Sequence, residues 1–144
     1  MAILFNNNFE YNITNIEKDD IGNYLIVDLK LSDFTLKLIN IYAPNVDSPH
    51  FFRNLKTKLE HNRQNYTIIC GDYNLILDPK IDCSNYINLN NPQARKVVLD
   101  LMRDQSLIDV YRSLNPQKTR FTWRKKKNTE TGQVRLFFSL GYFV

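Results

Sequence analysis

The sequence predicts a mixed α/β fold with helices covering sheet faces, and three observations carry that reading. Leu25, Val27, Leu29 and Leu31 alternate with Ile26, Asp28 and Lys30, the period of two that marks a strand. Phe51, Phe52, Leu55 and Leu59 recur at helical spacing, with Arg53, Lys56, Lys58 and Glu60 on the other face. Between two such helical stretches lies Tyr66 to Cys70, a short β-branched apolar run that ends at Gly71, as a buried strand does.

In chain order, Ile3-Leu4-Phe5 and Tyr11-Asn12-Ile13 are expected as short strands beside the first hairpin. Ser32-Asp33 makes a tight connection, after which Phe34, Leu36 and Leu38 resume the alternation up to Tyr42, so at least one sheet pairs antiparallel strands. Pro49 precedes the first helix. Pro92 opens the second, with Ala94, Val97, Val98, Leu101 and Met102 inward and Arg95, Lys96, Asp100 and Arg103 outward. Phe121 to Arg124 and Arg135 to Phe138 are two further strand candidates. Strands, helix, strand, helix, strands is the order of a sheet with helices packed on it.

A length of 144 residues fits a single domain over 1–144, and the 43% hydrophobic share permits a packed core. The net charge of +4 tilts toward a polyanionic partner, with the excess near Arg120 and Arg124 to Lys127. Cys70 and Cys83 make neither a disulfide framework nor a zinc pattern, so a buried free thiol in a reducing compartment is expected at Cys70, with no disulfide-linked partner. No basic leader or apolar segment of membrane-spanning length is visible. The expected location is therefore intracellular, nuclear or cytoplasmic, not secreted, with no membrane partner. His50 and His61 lack carboxylates at telling spacing and read as surface residues.

Three segments carry candidate chemistry. Gly71-Asp72-Tyr73-Asn74 follows a buried strand, where α/β proteins tend to place their sites. In a strand-like exit, Asp72 and Asn74 point the same way, one offering a carboxylate for a water or hard cation, the other an amide for an anion. Gly, Asp and Asn are equally the residues of turns, and both readings stay open. Asn40-Ile41-Tyr42-Ala43-Pro44-Asn45 closes another strand, offering the Tyr42 phenol and the Asn45 amide at the same rim, with simple packing as the plainer account of Tyr42. Thr119 to Lys127 mixes aromatic, hydroxyl and basic side chains, suited to stacking on bases and neutralising phosphates, or else forming a solvated basic loop.

Taken together, these segments resemble the endonuclease/exonuclease/phosphatase superfamily, and within it the endonuclease domain of LINE-type (non-LTR) retrotransposons. The resemblance runs through Ala2 to Phe5, Leu38 to Asn45 and Ile68 to Asn74, then Leu107 to Pro116 and Thr119 to Arg124, the last two blocks being those of the retrotransposon branch. It implies a four-layer α/β sandwich, two facing mixed β-sheets flanked by helices, here partial and incomplete at both termini. It also implies Mg²⁺-dependent cleavage of phosphodiesters, in DNA nicked to prime reverse transcription. By this resemblance Asp72 orients the attacking water, Asn74 supports that water and the phosphate, and Tyr42 donates to the phosphate or its leaving oxygen. Asn45 contacts the phosphate beside Tyr42, while Thr122, Trp123, Arg124 and Lys125 serve the DNA groove.

The same pattern places a metal-ligand Glu before the first matched block, an Asp after Leu136 and a closing Asp-His pair. The 144 residues contain none of these, since Leu136 is followed by Phe137-Phe138-Ser139. Asp78 is not assumed to replace the Glu. No metal ligand is therefore assigned, and the expectation is a nuclease fragment that is inactive alone, monomeric or prone to aggregate. The competing reading is a non-catalytic nucleic-acid-binding remnant that uses the basic segment 120–127. A phosphatase acting on inositol phosphates or lipids is opposed by the Leu107–Pro116 and Thr119–Arg124 blocks.

Overall fold

A computed structural model of the protein describes residues 1–60, 66–82 and 91–118, and the backbone of 123–124, 131–132 and 135–139. Strands β1 (Asn12–Lys18), β2 (Tyr24–Lys30) and β3 (Thr35–Tyr42) form an antiparallel meander. Helix α1 (Pro49–Glu60) then crosses over to β4 (Tyr66–Asp72), which pairs parallel to β3. Next come α2 (Pro79–Asp82), α3 (Pro92–Asp104), β5 (Leu107–Asp109) and α4 (Val110–Leu114). Short strands β6 (Trp123–Arg124) and β7 (Thr131–Gly132) pair with each other, and β8 (Arg135–Ser139) inserts between β4 and β5. The main sheet thus runs β1-β2-β3-β4-β8-β5. The mixed α/β class expected from the sequence holds.

A parallel pair cannot be joined by a tight turn, so α1 exists to carry the chain back across the sheet. Phe52, Leu55 and Leu59 on α1 and Ala94, Val98 and Leu101 on α3 pack onto Ile26, Ile39, Ile41 and Ile69. Apolar positions at i, i+3, i+4 and i+7 give both helices this single buried stripe. Phe52 also stacks on Tyr73, with ring centroids 6.1 Å apart, which anchors the chain just beyond β4.

One detail of the strand reading is corrected. The residues facing the helices on β2 and β3 are Ile26, Ile39 and Ile41, not the alternating set of Leu25, Val27, Leu36 and Leu38. Val27 and Leu29 are nevertheless buried as well, so β2 is covered on both faces. Strands apolar on both faces carry no one-sided alternation, and period alone cannot name the core face. The sheet also holds an ion pair: Lys37 sits 2.7 Å from Asp28 directly across β2 and β3, with Lys37 6% exposed. Asn15 donates to the other Asp28 oxygen at 3.1 Å.

Near the amino terminus, the strand begins at Asn12 and continues to Lys18, while residues 3–5 are not a strand. Phe5, Phe9 and Tyr11 instead stack on one another, and the Asn40 amide donates to the Ala2 carbonyl, tying this segment to β3. At the sheet edge, the Lys58 ammonium holds the Glu17 carboxyl below its usual range and lies 5.1 Å over the Tyr24 ring. His50 is exposed as expected, whereas His61 lies outside the described residues. No helix among the described residues is long and apolar enough to cross a membrane.

Candidate active site

The parallel register of β3 and β4 brings their carboxyl ends side by side, with Tyr42 opposite Asp72. That edge of a parallel pair is where α/β folds place ligands, because the loops leaving it line a common rim. Gly71 makes the approach possible. Its φ is +128°, and a β-carbon there would lie 1.9 Å from the Ile41 carbonyl oxygen. Beyond the strands the pairing continues for one step, as the Ala43 amide donates to the Asp72 carbonyl at 2.8 Å. Tyr42 is 49% exposed, so its phenol is open to solvent rather than committed to packing.

The strand stops at Asp72, and the next residues form a turn. Asn74 has φ +49°, its backbone amide donates to Asp72 Oδ1 at 2.9 Å, and its side-chain amide donates to the Ala43 carbonyl at 2.6 Å. This departs from the strand-like exit expected for Asp72 and Asn74. Asn tolerates the left-handed backbone and the Asp72 carboxylate closes the Asx turn on the Asn74 backbone, so the Asn74 amide turns to the Ala43 carbonyl instead of projecting in parallel with Asp72. The turn reading of Gly71 to Asn74 is the one this geometry shows. Tyr73 goes the other way into the core, 3% exposed.

A second set of bonds ties both loops to α3. Asp47, five residues past Tyr42, accepts from the backbone amides of Gln93 and Ala94 at 3.1 and 2.8 Å. Asn91 donates its side-chain amide to the Asn74 carbonyl at 2.7 Å and to the Asn45 carbonyl at 3.4 Å. Arg95 lays its guanidinium on the Leu77 carbonyl at 2.6 and 2.9 Å, so it is half-buried and not outward as its helical position implied. Behind these loops, Arg112 reaches Asp82 at 2.7 Å and also the carbonyls of Asn115, Pro116 and Lys118. Asp82 is 1% exposed and accepts the Asp78 amide through its other oxygen. Asp109 caps α4 by accepting from the Arg112 amide at 2.9 Å, and burial raises its pKa.

The structure thus brings together Tyr42, Asn45, Asp72 and Asn74 at one rim, Asn45 exposed on the loop after β3. Thr122 and Lys125 lie outside the described residues, as do the side chains of Trp123 and Arg124, whose backbone forms β6. Cys70 is a free, half-buried thiol whose pKa burial raises, and Cys83 lies outside the described residues. Asp47, Asn91, Asp82 and Arg112 were not singled out by sequence reasoning. Asn91 before Pro92 carries the usual signal of a helix start, yet its partners lie 17 and 46 positions away.

The fold defines a structural class, that of the endonuclease/exonuclease/phosphatase fold. The chain superposes on the APE2 catalytic domain of Xenopus laevis with TM-score 0.66 and 21% identity, over 82% of this chain and 46% of that one. TDP2 of D. rerio, complexed with a single-strand DNA product, matches with TM-score 0.61 and 16% identity, over 90% and 53%.

Within that class the retrotransposon resemblance also holds. The endonuclease domain of TRAS1, a telomere-specific non-LTR retrotransposon, matches with TM-score 0.60 and 14% identity, over 91% of this chain and 57% of that one. In sequence, the chain is similar to the Transposon TX1 uncharacterized 149 kDa protein of Xenopus laevis, 26% identical over 139 residues, 94% of this chain and 10% of that protein. No protein-family model matches the chain. It spans about half the length of the solved neighbours and a tenth of the transposon protein.

Mg²⁺ binds through one or two carboxylates in near-octahedral geometry and keeps several waters. Among the described residues, no group of three or more His, Cys, Asp or Glu stands together. At the rim, Asp72 supplies one carboxylate, and one of its oxygens already accepts the Asn74 amide. These residues by themselves do not fit a Mg²⁺ site.

Proposed function

We propose that this chain carries the phosphate-facing part of a DNA endonuclease centre of the retrotransposon type. The observation that supports it is the Tyr42–Asp72 register, which puts a solvent-facing phenol and a carboxylate at neighbouring ends of two parallel strands. The transposon relative and the retrotransposon endonuclease domain among the structural neighbours favour DNA as the polyanion.

Under this reading each residue has a distinct task. The exposed Tyr42 phenol donates to a phosphate oxygen, where negative charge grows as the diester is attacked. Asn45, on the loop that follows, offers an amide to the same phosphate. Asp72 accepts a hydrogen bond from the attacking water through the carboxylate oxygen not used by the turn, and so orients it. Asn74 holds the turn that fixes Asp72, with its amide engaged on the Ala43 carbonyl. The support of water and phosphate implied for Asn74 by the family resemblance competes with that bond. Mg²⁺ is the cofactor this function implies, and its ligands must include carboxylates beyond Asp72. The chemistry assigned to this chain is accordingly confined to binding the phosphate and orienting water.

A single gel experiment tests the reading. Purified 144-residue chain is mixed with supercoiled plasmid in Mg²⁺ at low and at moderate salt. Retarded plasmid is expected at low salt and lost as salt rises, because phosphate contacts release counterions. Nicking is expected at or near background, since the Asp-His pair that the resemblance implies as general base is not among these 144 residues, and such a base is worth a rate factor of about 10²–10⁴. Strong Mg²⁺-dependent nicking abolished by Asp72→Ala would show that this chain completes the centre unaided. Absence of retardation at low salt would sink the DNA reading altogether.

A further inference from the structure

We infer that Asn91 and Asp47 are positioning residues of the rim: they buckle the loop after β3 to the turn after β4, across the amino-terminal end of α3. The functional meaning of this buckle rests on the nuclease reading above; its existence does not.

Asn91 stands in the N-cap position of α3 with left-handed φ and ψ of 49° and 53°, and its side chain makes no bond to its own helix. An N-cap Asn ordinarily accepts a hydrogen bond from the first turn through its side-chain oxygen. Here that duty passes to Asp47, which accepts from Gln93 and Ala94 although it belongs to the loop after β3. The Asn91 amide is thereby released to donate to the carbonyls of Asn74 and Asn45. One nitrogen thus sets the separation of two carbonyls, one in the loop after Tyr42 and the other in the turn after Asp72. Asn91 is 8% exposed, and α3 is held to the sheet by Ala94, Val98 and Leu101, so the buckle is mounted on a packed element. A buried amide bonded to two backbone acceptors is costly to replace, because the half-buried Asn74 carbonyl then gives up a 2.7 Å bond where water reaches it only in part.

An N-cap role and a buckle role make opposite forecasts for two substitutions that both tolerate positive φ. At an N-cap, Asp outperforms or equals Gly and also favours the helix dipole. In the buckle, an aspartate side chain in place of Asn91 would turn a carboxylate toward two carbonyl oxygens, whereas Gly leaves a gap that water can enter. The experiment compares wild type, Asn91→Gly and Asn91→Asp in the 144-residue chain by thermal unfolding and by the ¹⁵N–¹H resonances of Asn45 and Asn74. The expected order of Tm is wild type, then Asn91→Gly, then Asn91→Asp. The Asn45 and Asn74 resonances should move in both variants, further in Asn91→Asp, while those of Val98 and Leu101 stay in place. The order should persist on an Asp47→Asn background, which removes repulsion between the two carboxylates.

Asn91→Asp that is as stable as Asn91→Gly, with Asn45 and Asn74 resonances at their wild-type positions, would overturn the proposal. Should Asn91→Asp fail to fold, Asn91→Gly decides by itself: unmoved rim resonances refute the buckle and moved ones support it. None of these readings uses DNA. A chain that fails to bind DNA therefore removes the nuclease reading, and the buckle stands or falls on the resonances.

Discussion

Gly71→Ala is expected to unfold the carboxyl end of the β3–β4 pair and destabilise the chain by about 4 kcal/mol or more, at the exceptional end of single-substitution effects. The added carbon would sit 1.9 Å from the Ile41 carbonyl oxygen and 2.8 Å from the Ile41 nitrogen, both backbone atoms that cannot rotate aside. The φ of +128° adds strain for any residue with a β-carbon. Relief requires β4 to move away from β3, which breaks the Tyr42–Asp72 register and strips Ile69 of its neighbours. Urea unfolding monitored by circular dichroism measures the loss. A change below about 1 kcal/mol would mean that the two strands are not held this closely.

The second large effect falls on Arg112→Ala, expected to cost about 3–5 kcal/mol because it takes the cation at 2.7 Å from a buried carboxylate. Asp82 is 1% exposed, and Arg112 is its cation at 2.7 Å. The same guanidinium gathers the carbonyls of Asn115, Pro116 and Lys118, so its removal also takes a donor from each of them. Asp82→Asn in the Arg112→Ala background should recover part of the loss, since a neutral amide is cheaper to bury than a carboxylate that has lost its cation. Recovery in that double variant separates the ion pair from simple loss of packing by the Arg112 stem. If Arg112→Ala costs no more than an exposed surface change, the pair is a solvated contact after all.

Much of the fold was legible because local chemistry and tertiary demand agree there. The hairpin, both long helices and the strand before Gly71 follow from periodicity, Pro at helix starts and a β-branched run. The face of β2 and β3 that meets the helices was not legible: Leu25 and Ile26 are both apolar, and only the crossover through α1 decides which face it covers. Short elements such as α2 and β5 lack enough turns or alternations to announce themselves. That Asp72 and Tyr42 stand at strand ends was legible, because strand exits are visible in sequence, and the structure makes those ends adjacent. The internal geometry of the rim was not legible. Asn74 folds into an Asx turn, and the bonds of Asn91, Asp47 and Arg112 join residues distant in sequence, so no local signature names their partners. Such pairs exist only once the sheet has brought their loops together.

The placement of a phosphate at the Tyr42–Asp72 rim is tested most directly by titrating a short duplex DNA, with Mg²⁺, into ¹⁵N-labelled chain and following backbone resonances. Shifts centred on Tyr42, Asn45, Asp72 and Asn74, weakening as salt is raised, are the expected result. Shifts confined to residues 120–127, with the rim unmoved, would contradict it and leave a nucleic-acid-binding segment in place of a nuclease rim.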